Sequence, residues 1–292
     1  MKRNRTKKQI DKFEVAFYNK YPDYSKATIK CLKTYNSGKN VDWDDFTKLF
    51  LIRFVSYLHT ILSPNSVRTY CARIKSLLND YVESVELPCR DFRKILSVKE
   101  VDTHNVYLTN EEIQKLIDYQ PHNIRERVVR NQFVNSCLTG LRFSDVTELD
   151  ETNIVENEIL IMCRSQKTKN VVFTANNKIT AKYILECVGH KYSAQTYNRT
   201  IREICKKVGI NDIVRVIQAG IEIRGEKYRF ITSHTARHSF ATNLHKATRN
   251  LMLVCKCMGH SDVKQTQRYI NMDDTNSAAV AEYASMFTFK NN

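Results

Sequence analysis

The sequence predicts a mainly α-helical protein with a small β-sheet, and three observations lead to this fold class. Long segments repeat apolar residues at helical spacing, and only 7 Gly and 4 Pro interrupt the 292 residues. Runs of β-prone residues are short and lie in the second half of the chain. Hydrophobic residues make up 42% of the sequence, which is enough for a packed core. We therefore expect a helical first domain and a mixed α/β second domain.

Two consecutive helices are predicted in the first hundred residues. The apolar positions of the first, over residues 44–62, are Phe46, Leu49, Phe50, Phe54, Leu58 and Leu62. The second begins with Ser63 before Pro64, which is a helix-start signal. Its apolar positions are Val67, Tyr70, Ile74, Leu77 and Tyr81. Its polar side carries Arg68, Arg73 and Lys75, so we expect a small helical bundle with one basic face.

A linker is predicted where the helical period is lost, over residues 87–106. The period restarts at Thr109 and Glu112, which have the spacing of a capping box. We therefore place the domain boundary near residue 105. The first domain spans 1–105, and the second spans 106–292 and includes a C-terminal helical tail.

The second domain is predicted to mix helices with short strands. Residues 133–149 form a buried helix, a turn at Gly140 and a second short helix, and residues 158–174 form a β-hairpin around a polar centre. Residues 178–208 are helical again. An extended stretch, residues 214–232, follows with breaks at Gly220 and Gly225, and helical spacing returns from residue 234.

The chain is strongly basic, with a formal net charge of +15 and an isoelectric point of about 9.4. Both domains contribute similar excesses of Lys and Arg, so the charge is not confined to a tail. Such a charge favours an anionic partner, of which nucleic acid is the commonest. Scattered lysines that only keep the protein soluble are the alternative.

Nine cysteines, an odd number with no CxxC pair, are explained by reduced thiols in a cytoplasmic protein. Cys255, Cys257 and His260 have a spacing that suggests a metal site, but one turn of an apolar helix explains them better, and we expect no metal or other cofactor. The basic N-terminus lacks the apolar segment of a secretory signal. No apolar run is long enough to span a membrane.

Several residues have side chains suited to phosphate chemistry. His234 and Arg237 are three residues apart, so on a helix they share a face and combine a proton-transfer group with a bidentate phosphate ligand. Arg142 follows the turn at Gly140, and Lys167 lies at the centre of the hairpin. Taken singly, each has an ordinary explanation: a helix surface, a salt bridge with Asp145, and a solvated turn lysine.

The order of these residues resembles the tyrosine recombinase (phage integrase) family. The matching segments are "LTGLRFSDV", "KT" in a hairpin, "SHTARHSFAT" and "MGHSDVKQTQRY", with 23 residues from Arg237 to His260 and nine more to Tyr269. The resemblance covers about residues 106–270. More loosely, the helical first domain resembles the SAM-like core-binding domain of the family.

This resemblance implies a site-specific DNA recombinase or integrase. Tyr269 would attack a DNA phosphodiester and form a 3′-phosphotyrosyl link. His234 would assist deprotonation of Tyr269, and Lys167 would protonate the departing 5′-oxygen. Lys169 is the alternative to Lys167, because the strand after the hairpin centre departs from the family pattern.

The remaining roles implied by the resemblance concern charge and positioning. Arg142, Arg237 and His260 would stabilise the non-bridging phosphate oxygens. His238 and Asp145 are expected to position neighbouring groups rather than to react. The glycine that usually lies near the end of the helix after the second arginine segment is replaced by Thr248.

The resemblance also implies partners and a setting. We expect double-stranded DNA as partner, contacted by Arg68, Arg73 and Lys75, with a homodimer on one site and a homotetramer in the synapse. The gene is expected to come from a phage or bacterial mobile element. The protein is expected in the cytoplasm, associated with the nucleoid, and without a membrane partner. A type IB topoisomerase-like enzyme and a non-catalytic DNA-binding protein are the alternatives. The tail after Tyr269 could dock on a neighbouring subunit or on its own domain.

Overall fold

The computed structural model describes residues 11–101, 105–155, 160–167, 169–176, 178–218, 220–260, 262–267 and 269–270. The chain divides into two compact units, residues 1–103 with 218–221 and residues 104–217 with 222–292. Among the residues described, no helix is long and apolar enough to cross a membrane.

The first unit is helical. Its helices are α1 (Phe13–Lys20), α2 (Ser25–Tyr35), α3 (Lys48–Ile61), α4 (Pro64–Tyr81) and the short α5 (Phe92–Ile95). A 3-10 turn, Trp43–Asp45, precedes α3. Aromatic and aliphatic side chains from these elements fill one core, in which Phe13, Phe54 and Leu58 are completely buried.

The helix predicted over residues 44–62 is present as α3, but its predicted start is wrong, because the backbone breaks before Lys48. The hydroxyl of Thr47 accepts a hydrogen bond from the amide of Phe50 at 3.2 Å and so caps a new helix. The break shifts the buried face of α3. Leu49 is therefore 57% exposed, and Leu51 occupies the core position instead.

The helix start predicted at Ser63 and Pro64 is confirmed, but the single basic face of α4 is wrong. Arg68 pairs with Glu100, and seven residues later the ammonium of Lys75 donates to Ser97 at 2.9 Å. Arg73 lies over the ring of Tyr24, 4.8 Å from its centroid. Five residues along a helix correspond to a rotation of about 140°, so Arg73 points to a different side from Arg68.

The second unit is organised around one buried helix. Its helices are α6 (Asn110–Asp118), α7 (Ile124–Thr139), α8 (Phe143–Val146), α9 (Lys178–Leu185), α10 (Ala194–Lys207), α11 (Ser233–Thr248), α12 (Leu251–Cys257) and α13 (Val263–Gln267). The central helix α7 contacts α6, α8, α9, α10 and α11. The side-chain amide nitrogens of two buried asparagines on α7 find acceptors, since Asn131 donates to Glu186 at 2.7 Å and Asn135 donates to the carbonyl of Thr180.

Several helix boundaries match the sequence patterns. The capping box of Thr109 and Glu112 is present, and α7 ends at Gly140, whose φ is +70°. The helical stretch predicted over 178–208 is interrupted, since α9 and α10 are separate helices. The helix α11 ends after Thr248 with Arg249 in the left-handed conformation, φ +51°.

Two small sheets accompany these helices. Strands β1 (Ile154–Val155), β2 (Leu160–Arg164) and β3 (Val171–Ala175) form an antiparallel sheet in that order, and this confirms the predicted hairpin. Strands β4 (Ile213–Gln218) and β5 (Ile221–Glu226) pair with each other. Gly220 lies between them with φ of +79°, whereas Gly225 lies inside β5 and does not break it.

Candidate active site

Arg142 and the hairpin turn are joined through Asp145. A guanidinium nitrogen of Arg142 donates to the hydroxyl of Ser165 at 3.2 Å and lies 4.0 Å from a carboxylate oxygen of Asp145. The other carboxylate oxygen of Asp145 accepts from the amide of Gln166 at 3.0 Å. The buried Asp145 therefore orients both Arg142 and the turn that carries Lys167, which is the positioning role expected from the sequence.

The two lysines of the hairpin turn are placed differently. Lys167 is exposed, and its charge helps to lower the pKa of His234. Lys169 has φ of +60°, and its amide donates to the carbonyl of Ser165 at 2.8 Å. The carbonyl of Lys169 accepts from the side chain of Arg164 at 3.3 Å. The backbone of Lys169 thus closes the turn, while the charge of Lys167 acts on the site.

Arg237 is the buried cation of the site, with an exposure of 2%. One amino group donates to the carbonyl of Gly140, and the other donates to the carbonyl of Met258 at 3.2 Å and to Nε2 of His260 at 2.9 Å. Its Nε has no hydrogen-bond partner among the residues described.

The guanidinium of Arg237 stays charged in spite of its burial. Desolvation, and then the charge of Arg142, lowers the pKa of Arg237 to about 10, and the phenol of Tyr269 offsets part of this effect. A pKa of about 10 still leaves the group protonated at neutral pH. The site therefore holds a fixed positive charge shielded from bulk water.

His260 follows the turn at Gly259, whose φ is +63°, and is 8% exposed. Its Nδ1 lies 2.9 Å from the hydroxyl of Thr266, and its carbonyl accepts from the thiol of Cys255. Burial, and then the charges of Arg237 and Arg142, lowers the pKa of His260 to about 4. The ring is therefore neutral at neutral pH, and in this DNA-free state its Nε2 accepts from Arg237.

Tyr269 lies within this cluster in its own chain. Its ring centroid is 4.8 Å from that of His238, 5.2 Å from that of His260 and 5.4 Å from Cζ of Arg237. The phenol ring of Tyr269 thus lies beside the buried arginine of the same chain.

The backbone of Tyr269 is held by α11. Its carbonyl accepts from Nδ1 of His238 at 3.1 Å and from the hydroxyl of Thr242 at 3.4 Å. Burial lowers the pKa of His238 to about 4, against the opposing effect of the bond to Tyr269. The expectation that His238 positions a neighbour agrees with this contact, whereas Thr242 and Thr266 were missed. Their spacing was the available sign, since Thr242 lies one helical turn after His238 and Thr266 three residues before Tyr269.

His234 lies one turn before Arg237 and is exposed. Although much of its surface is exposed, the protein packed around the ring desolvates it, and this effect, followed by the charges of Arg237, Lys167 and Arg142, lowers the pKa of His234. His234 is therefore a neutral imidazole at neutral pH, which is the form that accepts a proton.

Cys255 and Cys257 are the cysteines whose spacing suggests a metal site. All nine cysteines are free thiols, and the thiol of Cys255 donates to a backbone carbonyl. The described residues contain no group of three or more His, Cys, Asp or Glu side chains placed to hold a metal ion.

A model of the phage integrase family matches residues 106–276, and a model of the phage integrase SAM-like domain matches residues 4–84. Tyrosine recombinase XerC of Vibrio cholerae serotype O1 is 24% identical over 234 residues, which cover 76% of this chain and 72% of that protein.

Two solved structures share the fold. The Tn1549 transposon integrase in complex with transposon right end DNA has a TM-score of 0.65 at 14% identity, covering 94% of this chain and 100% of that chain. A lambda integrase tetramer bound to a Holliday junction has a TM-score of 0.63 at 11% identity, covering 90% of this chain and 78% of that chain. Because the phage integrase model spans more than half of the sequence, the chain belongs to the phage integrase family of tyrosine recombinases, enzymes that cleave and rejoin DNA through a tyrosine.

Proposed function

We propose that this recombinase cleaves DNA with Tyr269 as the nucleophile. The observation that supports this role is the placement of the Tyr269 ring beside the buried guanidinium of Arg237 and the imidazole of His260. The phenol oxygen attacks the phosphorus of a phosphodiester, and the bond from phosphorus to the 5′-oxygen breaks. The product is a 3′-phosphotyrosyl link and a free 5′-hydroxyl, and the reverse reaction joins a new strand without ATP.

Positive charge at the phosphate comes from Arg142 and Arg237. The transition state gathers negative charge on the non-bridging oxygens, and preorganised guanidinium donors stabilise that charge strongly where water is excluded. Arg237 offers its Nε, which has no partner among the described residues, in addition to its amino groups. His260 supplies one further hydrogen bond to these oxygens. Since the arginines provide the charge, the reaction requires no metal or cofactor.

Two proton transfers accompany the phosphoryl transfer. His234, whose lowered pKa keeps it neutral at neutral pH, takes the proton of the Tyr269 phenol. Lys167, in the exposed turn between β2 and β3, gives a proton to the departing 5′-oxygen. The phenol proton moves from Tyr269 to His234, and a proton of Lys167 moves to the 5′-oxygen. Cleavage therefore takes no net proton from solvent and releases none to it.

The domain roles follow from the same assignment. Residues 1–105 form the core-binding domain, in which Arg68, Arg73 and Lys75 contact DNA phosphates from more than one side of α4. Residues 106–292 form the catalytic domain and its C-terminal helical tail, whose residues 271–292 lie outside those described. Phosphate contacts make DNA binding strongly dependent on salt.

The assembly and setting complete the proposal. A homodimer binds inverted half-sites, and a homotetramer pairs two duplexes, an arrangement supported by the lambda integrase tetramer on a Holliday junction. The gene belongs to a phage or mobile element, which the similarity to the Tn1549 transposon integrase supports. The protein acts in the cytoplasm, in association with the nucleoid.

A nicked suicide duplex tests the nucleophile. The duplex carries the inverted half-sites that sequencing of the DNA beside the gene is expected to identify, and its nick lets the short 5′-hydroxyl strand diffuse away after cleavage. We expect wild type and the matched control Tyr192→Phe to accumulate a covalent protein–DNA adduct on a denaturing gel. Tyr269→Phe is expected to bind the duplex in a gel-shift assay without forming the adduct. An adduct formed by Tyr269→Phe would overturn the assignment.

A further inference from the structure

Thr266 contacts both His260 and Tyr269 from a fully buried position in α13. Its hydroxyl lies 2.9 Å from Nδ1 of His260, and its carbonyl accepts from the amide of Tyr269 at 2.9 Å. The first contact uses the side chain and the second uses the backbone. A substitution of the side chain therefore changes the contact with His260 and leaves the backbone link to Tyr269 in place.

The partners of His260 define which ring nitrogen carries the proton. A guanidinium can only donate, so Nε2 of His260 must accept from Arg237. The ring is neutral, since burial and the adjacent arginines disfavour its protonated form. The single ring proton is consequently on Nδ1, and the oxygen of Thr266 accepts it.

Stabilising a phosphate requires the opposite arrangement. An unprotonated Nε2 repels an anionic oxygen, whereas Nε2–H donates to it. When the proton is on Nε2, Nδ1 becomes an acceptor and needs a donor in the same buried place. A threonine hydroxyl meets both needs by rotation about its Cβ–Oγ bond, because it both donates and accepts.

We propose that Thr266 is a positioning residue that supports both tautomers of His260, accepting from Nδ1 in the free protein and donating to Nδ1 when phosphate is bound. This inference rests on the proposed function for the state in which His260 faces a phosphate. The ring carries one proton in each state, so the change exchanges a proton with solvent without net gain or loss. The amino group of Arg237 that donates to His260 turns to the phosphate in the same change.

Nitrogen-15 NMR of histidine side chains in the free full-length protein tests the first half of the proposal. The resonances of His260 are identified by their loss in His260→Gln. We expect the Nδ1–H tautomer in wild type, in Thr266→Ser and in the matched control Thr242→Val, which removes a hydroxyl from the backbone of Tyr269 instead. Thr266→Val should keep the Nδ1–H tautomer, because Arg237 still donates to Nε2, but the Nδ1–H proton should resonate at higher field once its acceptor is lost. An Nδ1–H resonance at the wild-type position in Thr266→Val would overturn the proposal, and Thr266→Ala serves the same comparison if the valine variant does not fold.

Single-turnover cleavage of the suicide duplex tests the second half. Thr266→Val should form the adduct about tenfold more slowly at unchanged DNA affinity, as is typical when the partner of a functional histidine is lost. Thr266→Ser keeps the hydroxyl and should stay within about threefold of wild type. Equal slowing by serine and valine would overturn the role of the hydroxyl. Adduct formation by Tyr269→Phe would instead refute the proposed function, and the tautomer measured in the free protein would be unaffected.

Discussion

Arg237 donates a hydrogen bond to Nε2 of His260 at 2.9 Å, and this contact ties α11 to the loop after α12. The same guanidinium donates to the carbonyl of Gly140, at the end of α7. Three segments that are distant in sequence thus meet at one side chain. Because these donors are buried, replacement of Arg237 affects both the electrostatics of the site and the packing around it.

The first prediction concerns the geometry of the guanidinium. In Arg237→Lys a single ammonium cannot reach Gly140, Met258 and His260 together, and it cannot bind phosphate with a planar fork. We expect adduct formation on the suicide duplex to slow by roughly a hundredfold or more.

Arg130→Lys is the matched control for this substitution. Arg130 is 7% exposed and donates to the carbonyls of Leu116 and Ile117, which lie in the last turn of α6. The control should lower the free energy of unfolding and leave the rate of cleavage by the folded protein close to wild type. Equal slowing in the two variants would mean that the loss comes from general destabilisation.

The second prediction concerns Gly140. A Cβ at this position would lie 2.4 Å from the ring of Phe240, and the backbone has φ of +70°. Gly140→Ala should therefore lower the free energy of unfolding by about 2–4 kcal/mol, combining conformational strain with overpacking. In the control Gly189→Ala, φ is +78° and no heavy atom lies within 4 Å of the new Cβ. Its cost in urea unfolding should be only about 1–2 kcal/mol, so equal costs would argue against the clash with Phe240.

The third prediction is a loss of stability in mild acid. His238 and His260 each have a pKa of about 4 in the folded chain, below the 6.5 of an unperturbed histidine. Between these values the unfolded chain binds more protons than the folded chain, so the free energy of unfolding falls as the pH decreases from 6.5 towards 4. His260 alone contributes at most about 3 kcal/mol to this loss.

Urea unfolding between pH 6.5 and 5 measures this contribution, since most carboxylates stay ionised in that window. We expect the stability of His260→Gln to depend less steeply on pH than that of wild type. Identical slopes would show that His260 binds protons equally well in the folded and unfolded chains.

The carboxylate of Glu126 contributes to the loss of stability in acid only at lower pH. Its burial raises the pKa, but hydrogen bonds from Lys207, Tyr119 and the amide of His122 outweigh this and lower it to about 2.

The fourth prediction concerns a buried ion pair. The ammonium of Lys227 contacts both carboxylate oxygens of Glu112 at 2.6 and 2.7 Å, and each side chain is 10% exposed. Glu112→Gln leaves an unpaired buried ammonium and should cost about 3–5 kcal/mol in unfolding. Glu148→Gln breaks the exposed pair with Lys191 and should cost less than about 1 kcal/mol. Combining Glu112→Gln with Lys227→Met should recover part of the larger loss, and strict additivity would contradict a direct charge interaction.

Local patterns in the sequence were sufficient for much of the second unit. The helix before Gly140, the hairpin around Lys167 and the helix carrying His234 and Arg237 all rest on short-range periodicity and turn residues, and these elements are present. The intervals from Arg237 to His260 and from His260 to Tyr269 identified the candidate site residues from the sequence. Their convergence around one guanidinium depends on packing between helices, which periodicity does not describe.

The failures have identifiable physical causes. Thr47 caps a new helix inside an apolar run, so a local hydrogen bond overrides the period that placed Leu49 in the core. Arg73 is drawn to the ring of Tyr24, which is 49 residues away in sequence. Thr266 acquires its contact with His260 from the position of α13. Each outcome depends on a particular side-chain partner, and a count of apolar or basic positions contains no information on partners.

The hydrogen bonds that position the backbone of Tyr269 have a practical consequence for finding the DNA on which this protein acts. His238 and Thr242 bind its backbone carbonyl, an atom that every residue at this position retains. A Tyr269→Phe protein therefore keeps an assembled pocket and loses only the reacting oxygen. Immobilised on a column, such a protein would serve as an affinity matrix for sheared genomic DNA. Sequencing of the retained fragments would then identify its recombination site directly.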